Sequence, residues 1–282
     1  MTLASTDDLV ADAVANRTGV AAFNVITLEH AEAIVAGAQA VRRPVILQIS
    51  ENAVLFHGGQ LGPIAVAARK IATHAEYPVA LHLDHVTDSD LLHEAAAAGF
   101  SSAMFDAGAL PYQENVAATR AAADWAHSSG LWLEGELGYV GGKPDAPASA
   151  HAAGVRTDPA EAAAYVEATG VDALAVAVGS SHAMTTRNAQ VDHELIARLA
   201  TVVQIPLVLH GSSGIADADL SGAVQAGIRK VNVGTALNIA FTAALRAKLA
   251  TDRGLVDPRT YLSAARTAMA EVVSDLLNVI SP

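Results

Sequence analysis

Eight short runs of aliphatic and β-branched residues alternate along this chain with Ala-rich stretches whose apolar residues have helical spacing. Continuous apolar runs of this length are typical of parallel strands that are buried on both faces. The runs are Val20–Val25, Val45–Ile49, Val79–Leu83, Ser101–Phe105, Leu131–Leu137, Ala173–Val178, Pro206–Leu209 and Lys230–Val233. Eight strand–helix units in 282 residues predict an α/β fold of the (β/α)8 kind, a TIM barrel.

Two further helical stretches flank the eight units. An extra helix, about Thr6–Arg17, precedes the first strand, and a C-terminal helical extension, Asp257–Asn278, follows the last unit. A doubly wound Rossmann-type sheet is the runner-up, but it predicts a Gly-rich turn after the first strand, and residues 24–29 contain no Gly. No linker-like segment divides the chain, so we expect one domain over residues 1–282.

Charge and composition exclude several classes of function. The 17 Lys and Arg against 29 Asp and Glu give a net charge of −12, which does not favour nucleic-acid binding. The apolar runs are far shorter than the roughly 20 residues that a membrane span needs, although 52% of the residues are hydrophobic. The first ten residues carry acids where a signal peptide needs bases. We therefore expect a soluble cytoplasmic protein with neither a nucleic-acid nor a membrane partner.

A polar or ionisable residue stands at or near the end of each predicted strand. In a barrel these positions meet at the C-terminal face, where the active site lies. They include Asn24, Ser50, Asp84, His85, Asp106, Glu136, His182, His210 and Asn232. A barrel built for stability alone has no need of this pattern, so the sequence predicts an enzyme.

Histidines and glycines at these strand ends indicate a metal and a phosphate. His82, His85, His182 and His210 fall at strand ends in a chain without Cys, which suits a catalytic divalent ion held by imidazoles. Zn²⁺ is the first candidate, with Co²⁺, Fe²⁺ and Mn²⁺ as alternatives. Gly-rich turns follow strands seven and eight, where barrels often bind phosphate through backbone N–H groups. His82 shares a strand face with Asp84, so we expect it to act from behind the site.

Five segments resemble the class II, metal-dependent ketose-bisphosphate aldolases, in particular the shorter fructose/tagatose-bisphosphate aldolases. The segments are LHLDH (81–85), LEGELGYVGG (133–142), LAVAVGSSH (174–182), PLVLHGSSG (206–214) and KVNVGT (230–235). The resemblance continues to DPRTYL (257–262) and thus covers nearly the whole chain. It implies reversible cleavage of fructose or tagatose 1,6-bisphosphate to dihydroxyacetone phosphate and glyceraldehyde 3-phosphate.

The resemblance also implies a role for each matching residue. His85, His182 and His210 would hold the zinc, Asp106 and Glu136 would be secondary metal-site carboxylates, and a monovalent cation would lie near the first phosphate. Asp84 would be the acid/base on the aldehyde-derived oxygen, and Asn232 would lie near the enediolate. The implied substrate- and phosphate-binding set is Asn24, Ser50, Gly179, Ala183, Gly211, Ser213, Asn232, Gly234, Thr235 and Arg259. Arg259 would reach the second phosphate from a neighbouring subunit, which implies a homodimer or homotetramer.

One departure from the family pattern leaves alternatives open. Pro144 stands where the family usually has a Glu that moves a proton, and Asp145 follows it as the expected catalytic replacement. The alternatives are cleavage of another phosphorylated keto-sugar or sugar acid, and a barrel that binds sugar phosphate without turnover. A hydrolase barrel would need His-x-His on strand one, which Phe23-Asn24-Val25 does not provide. A Schiff-base mechanism is disfavoured because none of the four Lys residues lies on strand six.

Overall fold

The eight predicted strands form a closed parallel barrel in which each strand pairs with its neighbours in chain order. The structure, a computed structural model, describes residues 3–138, 156–180 and 184–282. The strands are β1 Val20–Asn24, β2 Val45–Ser50, β3 Val79–Val86, β4 Ser102–Phe105, β5 Trp132–Leu137, β6 Ala173–Val176, β7 Leu207–Leu209 and β8 Ile228–Val233. The first strand closes the barrel by pairing with β8, so the prediction of a TIM barrel is confirmed and the open Rossmann sheet is excluded.

Helices follow the strands around the outside of the barrel. Those of the described residues are α1 Thr6–Asn16, α2 Leu28–Val41, α3 Glu51–Phe56, α4 Leu61–Thr73, α5 Ser89–Ala98, α6 Tyr112–Ser128, α7 Pro159–Thr169, α8 His193–Val202, α9 Asp217–Ala226, α10 Thr235–Thr251 and α11 Pro258–Ile280. The predicted extra helix is α1 and the predicted C-terminal extension is α11. The short helix α3 was not predicted; it starts directly after β2, where the Oγ of Ser50 accepts a hydrogen bond from the N–H of Ala53.

The barrel is closed at its N-terminal end by α1. Its apolar face (Leu9, Val10 and Ala13) packs in one cluster with inward-facing side chains of the strands, among them the small residues Ala22 and Ala80. Small residues at these positions let the helix pack closely against the strands. The opposite, C-terminal end is thereby the face that remains for a site.

A second, larger cluster of apolar side chains fills the space between the barrel and its outer helices. The C-terminal helix α11 takes part through Met269, Val273, Leu277 and Ile280, all fully buried. Within the part of the chain that the structure describes, no helix combines the length and the apolar character needed to cross a bilayer.

Candidate active site

A cavity of about 500 Å³ opens at the C-terminal ends of the strands. Ten of the predicted site residues line it, contributed by β1, β2, β3 and β8 and by the turns after β4, β7 and β8. They are Asn24, Ser50, Asp84, His85, Asp106, Gly211, Ser213, Asn232, Gly234 and Thr235. The structure therefore brings together residues that are up to 211 positions apart in the chain, since Asn24 and Thr235 share the cavity.

Two histidines and a carboxylate form a cluster beside this cavity. One nitrogen of His85, one of His210 and one oxygen of Glu136 all lie within 4.8 Å of one another. The Nδ1 of His210 is 3.4 Å from Oε2 of Glu136, and the two imidazole rings meet edge to face at 4.9 Å between centroids. Two imidazoles and a carboxylate at this spacing are a donor set that suits Zn²⁺.

Each imidazole of the cluster is held from behind by another carboxylate. Nδ1 of His85 donates to Oδ2 of Asp106 at 2.9 Å, and Nε2 of His210 donates to Oε1 of Glu134 at 2.8 Å. Metal-binding histidines are typically oriented by such a carboxylate, which fixes the tautomer and increases the basicity of the ligating nitrogen. The arrangement therefore fits a metal on Nε2 of His85 and Nδ1 of His210.

The same carboxylates alter the proton affinities of the two rings. Burial alone would lower the pKa of His210, but the hydrogen bonds and charges of Glu134 and Glu136 outweigh burial and raise the pKa to about 9. The pKa of His85 is also raised: burial opposes the shift, and Asp84 and Asp106 overcome it. A bound cation would thus replace protons in a site that already stabilises positive charge.

An irregularity in β3 lets two consecutive residues face the cavity. Successive side chains of a regular strand point to opposite faces. The pairing of β3 with β4 shifts register between Leu83 and Val86, and His85 adopts a left-handed backbone conformation with φ +49°. This bend is what allows both Asp84 and His85 to line the cavity.

The carboxylate of Asp84 is held by two side-chain amides. Nδ2 of Asn232 donates to one oxygen at 3.3 Å, and Nδ2 of Asn24 donates to the other at 3.5 Å. Burial alone would raise the pKa of Asp84, but the neighbouring positive charges, first that of His85 and then that of Lys230, outweigh burial and hold the pKa below its usual value. The side chain is therefore an ionised carboxylate that is pre-oriented beside the metal cluster.

The two Gly-rich turns after β7 and β8 are linked to each other. The Oγ of Ser212 donates to the backbone carbonyl of Asn232 at 2.5 Å, and the Oγ of Ser213 accepts from the N–H of Ala236 at 3.1 Å. Gly211 has φ +66°, a conformation that favours glycine, and α10 begins directly after Gly234. These turns present backbone N–H groups at the start of a 17-residue helix, as anion sites do.

Several predicted site residues lie elsewhere. Glu136 and His210 are buried beside the cavity and do not line it. Gly179, with φ +113°, is also absent from the lining, and a Cβ built on it would collide with the carbonyl oxygen of Gln190. Arg259 lies in the first turn of α11, 90% exposed, and bonds to Asp257 at 2.7 Å. Asp145, His182 and Ala183 lie outside the described residues.

Three buried polar residues that the sequence analysis did not assign to the site also belong to this region. Gln48 lines the cavity and donates from Nε2 to Oδ1 of Asn24 at 2.9 Å. Glu134 and Lys230 form an ion pair of 2.8 Å below the cavity, with neither side chain exposed. The sequence spacing could have identified them, because residues two apart on a strand share one face. Each of the three lies two positions before a predicted site residue: Gln48 before Ser50 on β2, Glu134 before Glu136 on β5, and Lys230 before Asn232 on β8.

Comparisons with known proteins find matches over nearly the whole chain. A family model described as class-II fructose-bisphosphate aldolase matches residues 4–281. The YdjI aldolase from Escherichia coli K12 has a similar structure, with a TM-score of 0.86 at 31% sequence identity over 99% of this chain and 97% of that one. A protein from Coccidioides immitis is 27% identical with a TM-score of 0.85, over 98% and 95% of the two chains. A fructose-bisphosphate aldolase from Campylobacter jejuni, 24% identical over 99% and 95%, shares the fold with a TM-score of 0.80.

Proposed function

Because this chain belongs to the class II fructose-bisphosphate aldolase family and is an aldehyde-lyase, we propose that it cleaves a ketose 1,6-bisphosphate by a zinc-dependent reaction. The products are dihydroxyacetone phosphate and glyceraldehyde 3-phosphate. The observation that carries the proposal is the carboxylate of Asp84 beside the cluster of His85, Glu136 and His210, next to a cavity with two Gly-rich turns.

His85, His210 and His182 are the proposed metal ligands, with Glu136 and Asp106 as the carboxylates of the site. When bound, a divalent cation supplies Lewis-acid polarisation of a carbonyl and stabilises the negative charge of an enediolate. Zn²⁺ is the ion we propose, because imidazole and carboxylate oxygen are donors that it accepts and the chain offers no thiolate.

Asp84 is the proposed acid/base on the aldehyde half of the substrate. Cleavage breaks the C3–C4 bond, and the hydroxyl on C4 must lose its proton as the aldehyde forms. An ionised carboxylate accepts that proton, and the low pKa of Asp84 keeps it ionised at neutral pH. In the synthetic direction the same group returns the proton. Asn232 and Asn24 keep the carboxylate in place. We propose Asp145 as the residue that moves the proton at the dihydroxyacetone phosphate carbon.

The turns at Gly211, Ser213, Gly234 and Thr235 are the proposed site of the first phosphate, together with Gly179 and Ala183 and a monovalent cation. Asn24 and Ser50 would approach the second phosphate. Arg259 of one subunit would complete that second site in its neighbour, in a homodimer or homotetramer. The exposure of Arg259 in the single chain supports this assignment, because its guanidinium is accessible for such a contact.

A second candidate is an aldolase for another phosphorylated keto-sugar whose aldehyde half carries no phosphate. None of the described residues that line the cavity is Lys or Arg, whereas Glu51 and Asn52 are among them. A second phosphate would therefore depend on groups from outside this cavity wall. An uncharged aldehyde half would not need them.

Release of dihydroxyacetone phosphate from fructose 1,6-bisphosphate, tagatose 1,6-bisphosphate and fructose 1-phosphate separates these candidates. Each sugar is assayed with the protein as purified, after chelation, and after Zn²⁺ is returned. Chelator-sensitive cleavage of a bisphosphate, with a large loss in Arg259→Ala, supports the first candidate. Preference for the monophosphate, unchanged in Arg259→Ala, supports the second. Bound metal without cleavage of any sugar would contradict both and favour a barrel that binds without turnover.

A further inference from the structure

Lys230 lies fully buried in β8, below the cavity, and contacts residues on both sides of the proposed active site. Its Nζ donates to Oδ1 of Asn232 and to Oε2 of Glu134, each at 2.8 Å. We propose that Lys230 is a positioning residue that fixes the amide of Asn232 for Asp84 and, through Glu134, the ring of His210 for the metal. This inference rests on the proposed function.

The contact with Asn232 determines which end of its amide faces Asp84. A side-chain amide ends in an acceptor oxygen and a donor nitrogen of nearly the same size, so it can fit a site in either orientation. The ammonium of Lys230 donates only, so it holds the oxygen of Asn232 and turns the nitrogen towards Oδ1 of Asp84, 3.3 Å away. If the amide turned over, an oxygen would face the carboxylate and the hydrogen bond would become a repulsion.

The contact with Glu134 determines the orientation of His210. Lys230 holds Oε2 of Glu134, and the other oxygen accepts from Nε2 of His210 at 2.8 Å. The proton of the ring is thereby placed on Nε2, and Nδ1 is presented to the metal cluster. Lys230 also offsets the charge of Glu134, a carboxylate with no exposed surface whose pKa is held well below its usual value despite burial.

This position excludes the role that lysine plays in Schiff-base aldolases. A nucleophilic amine needs an unshared electron pair and access to the substrate carbonyl. The Nζ of Lys230 donates to a carboxylate, the side chain has no exposed surface, and the residue is absent from the cavity lining. It therefore acts through the two side chains that it holds.

Four proteins test the inference: wild type, Lys230→Met, the double variant Lys230→Met/Glu134→Gln, and Lys248→Met as a control on an exposed lysine of α10. The readouts are kcat and KM for the sugar that the wild type cleaves, and Zn²⁺ affinity by competition with a chromophoric chelator. We expect Lys230→Met to lower kcat by about 100-fold with little change in KM, and to weaken Zn²⁺ binding by about 10- to 100-fold. Lys248→Met should match the wild type in every readout.

The double variant separates positioning from charge neutralisation. It lacks both charges of the buried Lys230–Glu134 pair, so it should fold even if Lys230→Met does not. We expect its kcat and Zn²⁺ affinity to remain reduced, because Asn232 has lost its donor and the amide that replaces the carboxylate of Glu134 has no lysine to fix which end faces His210. Recovery of both to wild-type values would overturn the inference and leave Lys230 as a counter-ion only. Zn²⁺ affinity needs no substrate, so a wild type that cleaves none of the sugars would contradict the proposed function while the affinities still tested Lys230.

A kinetic double-mutant cycle with Asn232→Ala tests the contact between Lys230 and Asn232. If Lys230 acts through Asn232, adding Lys230→Met/Glu134→Gln to Asn232→Ala should lower kcat far less than it does in the wild type. Losses that multiply independently would contradict the link between Lys230 and Asn232.

Discussion

Oδ2 of Asp106 lies 2.9 Å from Nδ1 of His85, so the carboxylate directly after β4 fixes the imidazole at the bend of β3. The ring of His85 is about one-fifth exposed, and its backbone has a positive φ. The hydrogen bond to Asp106 restrains the ring and keeps Nε2 turned towards the metal cluster.

Removing this restraint should weaken metal binding more than it weakens the fold. We expect Asp106→Ala to lower Zn²⁺ affinity by about 10- to 100-fold. Asp124→Ala is the matched control, because Asp124 is exposed on α6 and its ion pair with Arg120 is long, at 4.0 Å. Competition with a chelator measures both affinities. Equal affinities in the two variants would mean that Asp106 does not support the site.

Substitution of Asp84 should separate metal binding from proton transfer. In Asp84→Asn the side chain keeps its shape and loses its basic oxygen, so we expect kcat to fall by about 10²- to 10⁴-fold. The Zn²⁺ content, measured by elemental analysis, should stay near that of the wild type, because the cluster of His85, Glu136 and His210 is not altered. Retention of a tenth or more of the wild-type kcat would exclude Asp84 as the acid/base.

A methyl group on Gly234 should disturb both the phosphate turn and Asn24. A Cβ built there would lie 2.7 Å from Oδ1 of Asn24, closer than van der Waals contact allows. We expect Gly234→Ala to raise KM for the sugar phosphate and to lower kcat, since Asn24 would move away from Asp84. Gly62→Ala on α4 is the control, because its Cβ meets nothing within 4 Å. Similar kinetics in the two variants would show that the close approach at Gly234 has no role.

Gln48 should contribute to substrate binding through its unoccupied acceptor. Its Nε2 holds Asn24, while Oε1 is buried and has no hydrogen-bond partner among the described residues. A substrate hydroxyl would satisfy that oxygen, so we expect Gln48→Leu to raise KM by about 10-fold or more. Gln225→Leu, on the exposed face of α9, should leave the kinetics unchanged. An unaltered KM in Gln48→Leu would remove Gln48 from the site.

The strands and their polar ends could be predicted because each signal is local. The run Val45–Ile49 is a buried strand by its composition alone, and the barrel topology then brings Ser50, Asp84 and Asn232 to one face. The buried pair of Glu134 and Lys230 could not be derived in this way. Their partnership spans 96 positions and depends on the barrel closing with a particular register. The positive φ of His85 could not be predicted from the sequence either, because a non-Gly residue adopts such a φ only where the surrounding structure imposes it.

Beneath the site, His82 is a buried neutral histidine that connects β3 to the helix at the bottom of the barrel. Its Nδ1 donates to Oγ of Ser102 at 2.8 Å, and that hydroxyl donates to Oγ1 of Thr6 in α1 at 2.6 Å. Its Nε2 faces the carboxylates of Asp84 and Glu134 at 3.9 Å. Burial, reinforced by the charge of Lys230, lowers the pKa of His82 to about 3, and the two carboxylates only partly oppose the shift.

Because of this shift, we expect His82 to lower the stability of the folded protein in acid. At neutral pH His82 is neutral in both states and contributes nothing to the pH dependence. As the pH falls below the unfolded-state pKa of 6.5, His82 binds a proton in the unfolded chain. In the folded protein it stays neutral until the pH nears 3, so the free energy of unfolding decreases between these two values. The decrease due to this residue should reach roughly 3 kcal/mol at pH 4.5. Urea unfolding of chelated protein at pH 7 and 4.5 measures it as the difference between wild type and His82→Asn, in which that position no longer titrates. Equal losses in the two proteins would show that the folded state accommodates a charged His82.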